Sequence, residues 1–357
     1  MSVAAPVRIE RGVPCPPQSP PLSRRGLLAA GGLAGLGALV TACGSKDGSG
    51  SSGKEGKSGG GSWSFTDDRK TKIDLGGRPE RIVAYIGSAA ALYDFGIDDQ
   101  IVGVFGPTKL KNGKPDVQAG DIDVDKVTIL GSAWGQFNVE KYASLNPQLL
   151  ITNMYDPGAL FYVPDDSKNK ILALAPSAAL TTGRVSMVEP IKRYAELAAA
   201  LGADLNAKKV TDAKARFEAA AETLRKTVKS KKIKVLACSA SADLFYVSSP
   251  SVNADLIYFR ELGVDFVVPQ KTDKGGYFES LSWENADKYG ADLLFLDNRT
   301  ATLQPKDLTA KPTWSKLPAV KAGQIVPWSS EPRFSYAGAA PHIEALTKAI
   351  QDAKKVS

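Results

Sequence analysis

The chain has 357 residues, with 45 Lys and Arg against 38 Asp and Glu and a formal net charge of +7. That length suffices for two lobes of ordinary size, and so mild a basic excess does not argue for nucleic acid. One His and three Cys argue against a direct transition-metal site, which usually needs several imidazoles or thiolates; the folded region also lacks the Gly-x-Ser-x-Gly elbow of a Ser-His-Asp hydrolase.

Ser23-Arg24-Arg25-Gly26-Leu27-Leu28 resembles a twin-arginine export signal, with Leu where the pattern prefers Phe. Leu27 to Ala42 is apolar and rich in small residues, too short and too Gly-rich to span a bilayer as a mature helix. Val40-Thr41-Ala42-Cys43 then reads as a lipobox. Residues 1–42 are expected to be a signal peptide, cleaved before a lipidated Cys43 that anchors the protein to the outer face of the cell membrane. Four Arg and one Glu precede Cys43, which leaves 41 basic against 37 acidic residues. Cys15 is removed with the signal and Cys43 is modified, so Cys238 stands alone and no intramolecular disulfide is expected. Residues 43–65 are dominated by Gly, Ser and Lys and read as a flexible tether.

The body begins with the buried-strand pattern of 81–85, then a helical segment over 89–95 that stops at Gly96. Strands follow at 101–104, 127–130, 149–152 and 177–180, with a helix at 139–146. Strands alternating with helices predict a parallel sheet with covered faces. Val188, Ile191, Ala195, Ala198 and Leu201 fall at helical spacing, and Ser186 with Glu189 fits a capping box. A Lys- and Ala-rich helical run occupies 205–229. Strands resume at 233–238, 244–247, 264–268, 293–297 and 324–326. The expected organisation is an N-terminal α/β lobe over 66–185, a connecting helix and its successor over 186–230, and a C-terminal α/β lobe over 231–357. Each lobe is expected to hold a mostly parallel central sheet, with one long helix joining them. His342 reads as an ordinary helix-start residue, and Trp63 and Trp314 as structural.

The halves echo each other. Glu140 to Ile151 aligns without gaps to Glu284 to Phe295, and each Glu lies two residues after an N-cap candidate, Asn138 or Ser282. Leu92 to Asp98 similarly resembles Phe259 to Asp265. Internal duplication of a sheet lobe accounts for both matches.

Ordered motifs now identify a resemblance. They are Arg78-Pro79-Glu80-Arg81-Ile82-Val83-Ala84, Gly96 through Val104, Asn138-Val139-Glu140 leading to Asn146 through Ile151, and Val326-Pro327-Trp328 with Phe334-Ser335-Tyr336. Over roughly 72–352 the chain resembles bacterial ABC-importer solute-binding lipoproteins of the iron-siderophore and cobalamin type. The resemblance implies two α/β lobes joined by one helix, placed here at about 186–202, with small hinge motion and ligand held in the cleft. It implies that Glu140 and Glu284 dock on the permease. The plain alternative is a carboxylate favouring the positive end of a helix dipole.

Ligand contacts are expected from loops at the carboxyl ends of strands. These carry Tyr85, Trp134, Tyr155 and Arg184 in the first lobe and Arg299, Trp328, Arg333, Phe334 and Tyr336 in the second, with Tyr246 near a turn. Arg offers fixed donors to the iron-bound oxygens of a ferric siderophore, and Tyr and Trp offer apolar area with a polar tip. Asp297 and Glu331 are alternative partners for Arg299 and Arg333. The expected protein is a monomeric, non-enzymatic receptor without a cofactor, passing its chelate to ABC permease subunits and their ATPase. Cobalamin or haem is the alternative ligand, with Tyr85 or Tyr246 as a haem ligand. A secreted enzyme, a direct Zn or Mn receptor and a sugar receptor fit the residues less well.

Overall fold

The structure, a computed structural model, describes residues 61–311 and 313–357. The signal peptide, Cys43 and most of the tether lie outside these residues. The described chain begins with a hairpin, β1 (Trp63–Thr66) and β2 (Lys72–Leu75), paired antiparallel. The tether expectation ran into β1. There Trp63 and Phe65 alternate inward while Ser64 and Thr66 stay exposed, the period of a half-buried strand. Trp63 Nε1 donates to Ala200 O at 2.8 Å, so the indole is structural.

The first lobe comprises β3 (Ile82–Tyr85), α1 (Ile86–Asp94), β4 (Ile101–Phe105), β5 (Thr128–Ile129), α2 (Val139–Ser144), β6 (Leu149–Met154), α3 (Lys168–Leu174) and β7 (Ser177–Thr181). Its sheet is wholly parallel in the order β5-β4-β3-β6-β7. Residues 82–85 and 149–154 are buried throughout, which is why Ile82-Val83-Ala84 and Leu149-Leu150-Ile151 read as unbroken apolar runs. Asn138 caps α2 through Oδ1, which accepts from Lys141 N at 2.8 Å.

Two helices follow, α4 (Val188–Ala200) and α5 (Lys208–Ser230). The expected capping box at α4 does not form. Ser186 Oγ donates instead to Glu261 at 2.6 Å, an acceptor beyond the reach of local sequence patterns. α5, at 23 residues, is the long helix of the fold.

The second lobe comprises β8 (Lys234–Ala240), β9 (Leu244–Ser248), α6 (Ala254–Glu261), β10 (Asp265–Phe266), β11 (Phe278–Ser282), β12 (Leu293–Asp297), α7 (Pro305–Leu308), α8 (Pro318–Lys321), β13 (Ile325–Trp328) and α9 (Tyr336–Asp352). Its sheet is mixed. β10, β12 and β13 run parallel in it with β8, whereas β9 and β11 pair antiparallel at one edge. His342 sits inside α9 rather than at its start. Burial and nearby Arg333 push its imidazole down to about 4, which keeps it neutral.

Side-chain alternation divides the second sheet between two cores. Val235, Ala237, Leu293, Phe295, Val326 and Trp328 join a core continuous with the first lobe. Leu236, Cys238, Leu294 and Leu296 face a separate core with Phe245, Trp283 and Trp314. The continuous core packs the first lobe, α4, α5 and α9 together, so the lobes share apolar contacts rather than meeting only through a linker.

Asp67 pins the N-terminal hairpin to the first sheet. It is almost fully buried, accepts from the backbone of Arg69, Thr71 and Ala179, and pairs with Arg69 Nε at 2.6 Å. Removing it would strand buried donors and a guanidinium. Asp67→Ala is expected to cost about 3 kcal/mol in urea denaturation. A loss below about 1 kcal/mol would show that the hairpin is held by apolar contact instead.

Candidate functional site

Between the lobes lies a cavity of about 300 Å³, at the lower end of the usual range for small-molecule sites. The first lobe contributes Trp134, from the loop between β5 and α2, and Tyr155, Asp156, Ala159, Leu160 and Phe161, from the loop after β6. The second contributes Ser239, Ser248, Asn253, Tyr277, Phe278, Asp297, Arg299, Trp328, Ser330 and Glu331. Most of these stand at or just beyond the carboxyl ends of β6, β8, β12 and β13, where open α/β sheets place ligands.

Arg299 follows β12 and lies over its last residue, Asp297. Its Nε and Nη2 donate to the Asp297 carboxylate at 2.7–3.1 Å, and Nη1 donates to Glu331 Oε1. Burial opposes the guanidinium charge, but Glu331 and Asp297 outweigh it and hold the group firmly protonated. Three of its five N–H groups are thereby engaged, leaving one on each terminal nitrogen. Glu331 also reaches the first lobe. Its Oε2 accepts from Gln118 Nε2 at 2.9 Å and lies 2.9 Å from the Tyr85 hydroxyl. That hydroxyl is also 2.5 Å from Gln118 Oε1, and its single proton serves one acceptor at a time. Burial, then the Glu331 charge, raises the Tyr85 phenol well above its ordinary value.

Aromatic rings form the remaining wall. Phe161 packs edge-on against Tyr85, Trp134, Tyr155 and Tyr162, with centroids 4.6–5.5 Å apart. Tyr162 has φ +60°, a left-handed conformation costing a β-carbon-bearing residue of order 1 kcal/mol or more. Trp134 is 69% exposed, an unusual position for so large a ring and one that leaves it at the cavity mouth. The Tyr155 hydroxyl and Ser330 Oγ are buried without a hydrogen-bond partner within the protein, which marks them as groups a ligand could satisfy.

At the rim, Arg184 leaves β7 with φ +62°. Its Nη2 donates to Asp156 at 2.8 Å and to Gly275 O at 2.6 Å, across the gap between lobes. The Tyr277 hydroxyl answers from the other side, donating to Tyr155 O at 3.1 Å or Asp156 at 3.2 Å. Gly183 must remain Gly, because a Cβ there would lie 2.4 Å from Tyr155 O.

Among the expected contacts, Trp134, Tyr155, Arg299 and Trp328 come together in the cavity wall. Tyr85 stands one layer behind, touching Phe161 and Glu331. Arg184 is a rim residue. Tyr246 packs on Phe278 instead, with centroids 5.0 Å apart. Arg333 does not line the cavity. It pairs with Asp94 and Asp121 at 3.0–3.3 Å and passes over Gly120, whose hydrogen leaves room that a Cβ would take from the guanidinium. Tyr336 opens α9 and packs against Phe95 and Phe217, and Phe334 is buried against Tyr194. Arg333, Tyr336 and Tyr246 thus lie outside the cavity lining, and for Arg333 and Tyr336 nearness to a strand end in sequence did not set which way the side chain turns. Residues the sequence reading passed over include Asp156, Phe161, Tyr277 and Phe278. The paired aromatics Phe161-Tyr162 and Tyr277-Phe278, in segments rich in turn residues, were the available signal.

Glu140 and Glu284 are both exposed. Glu140 stands in the first turn of α2, and Glu284 in a short 3-10 turn, Trp283–Asn285. Each precedes its strand, β6 or β12, by the same interval.

Asp255, in the first turn of α6, is buried beneath Trp328 and accepts from its Nε1 at 2.6 Å, while Oδ1 has no partner within the protein. Burial is the main cause that pushes this carboxyl up to about 7. The folded protein therefore holds a proton here that the unfolded chain has released. The stabilisation is full below about pH 4 and is lost as pH rises through about 7. Asp255→Asn should flatten the stability profile between about pH 4 and 7, removing a slope of at most about 1.4 kcal/mol per pH unit. Matching profiles for wild type and variant in denaturation at several pH values would refute this titration.

The sequence matches the family model for periplasmic binding proteins over residues 82–332. Among solved structures, the chain is similar to DesE, a ferric-siderophore receptor protein from Streptomyces coelicolor. The identity is 54% over 83% of this chain and 100% of that one, with a TM-score of 0.80. The fold is also shared with two Bacillus subtilis proteins. FeuA, a triscatecholate siderophore binding protein complexed with ferri-bacillibactin, is 18% identical over 81% of this chain and 98% of its own, at TM-score 0.60. The petrobactin-binding protein YclQ is 21% identical over 82% and 98%, at 0.59. No curated protein matches the chain.

Proposed function

The chain belongs to the periplasmic binding protein family, and from that premise we propose that it captures a ferric siderophore between its lobes and delivers it to an ABC permease. The observation that carries this reading is the make-up of the cavity wall. Rings from Trp134, Tyr155, Phe161, Tyr277, Phe278 and Trp328 surround the unspent N–H groups of Arg299 and the unpartnered hydroxyls of Tyr155 and Ser330. Such a wall suits a compact ligand with an apolar shell and a few oxygen acceptors. Iron is cargo in this reading, held by its chelator, while the protein holds the chelate. The extent and identity of the match to DesE support it.

Glu140 and Glu284 are the proposed permease contacts, one exposed carboxylate per lobe at matched positions. Cys43 is the proposed lipid anchor, and the Gly/Ser segment after it would let the body reorient at the membrane. No helix among the described residues is long and apolar enough to cross a membrane.

A haem reading has one observation in its favour, the free Tyr155 hydroxyl in the cavity wall. Burial and the Glu331 charge raise that phenol well above its ordinary value, which disfavours the phenolate that would bind iron. Tyr85 has its hydroxyl at Glu331 and Gln118, and Tyr246 is outside the cavity.

Two measurements test the proposal. Tryptophan fluorescence of the purified protein should respond to ferric chelates and far less to the iron-free chelators. A response to haem or cobalamin alone, or to an iron salt without chelator, would overturn siderophore capture. Glu140→Ala combined with Glu284→Ala should abolish uptake of the radiolabelled chelate by cells yet leave affinity unchanged, and normal uptake by the double variant would remove the docking role.

A further inference from the structure

The cavity is more acidic than its arginine suggests. Its wall holds three carboxylates, Asp156, Asp297 and Glu331, against one guanidinium, Arg299. Arg299 is bonded to two of those carboxylates at once. Two carboxylates against one guanidinium leave one negative charge on the cavity floor. Asp297 is fully buried, and only 9% of the Glu331 side chain is exposed, so solvent screens that charge weakly.

Among the described residues that line the cavity, no free cation offsets it. Arg184 is paired with Asp156 at the rim. Arg333, the other candidate cation, is spent on Asp94 and Asp121 outside the cavity. Behind the floor, Asp116 accepts from Gln118 N and Thr300 Oγ1. No unpaired cation therefore faces the cavity among the described residues that line it. The other wall is aromatic, and ring faces carry negative potential that attracts cations.

Chelate chemistry divides on this point. Three monoanionic bidentate donors neutralise Fe(III), and a protonated amine on the same molecule makes the complex cationic. Three dianionic donors leave a complex of charge −3. We infer that this cavity selects ferric chelates of zero or positive net charge, built from monoanionic donors such as hydroxamates, and discriminates against multiply anionic ones. Arg299 then acts through its two remaining N–H groups as a donor to chelate oxygens, not as a net positive charge. This inference deepens the siderophore reading and rests on it.

The test uses the full chain and three iron complexes: a linear ferric trihydroxamate with a free terminal amine, the same complex with that amine succinylated, and a ferric triscatecholate. At about 50 mM salt the amine form should bind at least about tenfold more tightly than the succinylated form. That ratio should shrink toward one at about 1 M salt, and the triscatecholate should bind weakest. Equal affinity for the two hydroxamates at low salt, or tightest binding of the triscatecholate, would overturn charge selection and leave siderophore capture standing. Failure of all three to bind would remove the underlying reading as well. Glu331→Gln removes the uncompensated charge and should cut the low-salt ratio by about tenfold. An unchanged ratio in a variant that melts cooperatively would overturn the inference. If the variant does not fold, the salt dependence of the wild type decides.

Discussion

The Glu331 carboxylate is the constraint on which the site depends. One side chain, just beyond β13, holds Arg299 of its own lobe and takes hydrogen bonds from Gln118 and Tyr85 of the other. A nearly buried carboxylate is tolerable only when its charge is paired and its lone pairs are met. The chain meets that demand with groups from three separate segments. Satisfying Glu331 therefore fixes the rotamer of Arg299, seats Tyr85 behind Phe161, and sets how closely the lobes approach at the cavity floor.

The aromatic wall follows from that placement. With its hydroxyl held at Glu331 and Gln118, the Tyr85 ring supports Phe161, and Phe161 supports Trp134 and Tyr155. The rim adds a second, more exposed crossing through Arg184, Asp156, Tyr277 and Gly275. Exposed pairs of that kind contribute little individually. The buried crossing at Glu331 and the shared apolar core fix the relation between lobes, while the rim closes one side of the cavity. The same pairing sets two carboxylates against the one guanidinium of Arg299, so its positive charge is more than offset in the cleft.

Much of the scaffold was legible in order along the chain. The buried strands of the first lobe read directly, because a parallel sheet covered on both faces writes itself as runs such as Leu149-Leu150-Ile151. Gly96 and Gly202 marked helix ends, each with a positive φ that other residues seldom adopt. The antiparallel edge strand β11 did not read. Phe278-Glu279-Ser280-Leu281-Ser282 alternates weakly, and Glu279 is buried against Lys288 and Tyr289, partners supplied by a later loop. The Ser186 capping box failed for a related reason, since Glu261 competes for the same hydroxyl from 75 residues away.

For the site, residue type could be read but not partnership. The sequence by itself determined that the loops after the strands would carry aromatic and cationic side chains, because strand ends, turn residues and composition are local properties. It also determined the family, because motif order survives in one dimension. Only the tertiary structure decided which arginine faces the cavity and what charge it brings there. Arg299 and Arg333 look alike in sequence, each with an acidic residue two positions before it. One is bonded to carboxylates inside the cleft and the other to Asp94 and Asp121 outside it. Electrostatic pairing depends on distance in space: Asp297 and Glu331 reach Arg299 from within its own lobe, whereas Asp94 and Asp121 reach Arg333 only once both lobes have folded together.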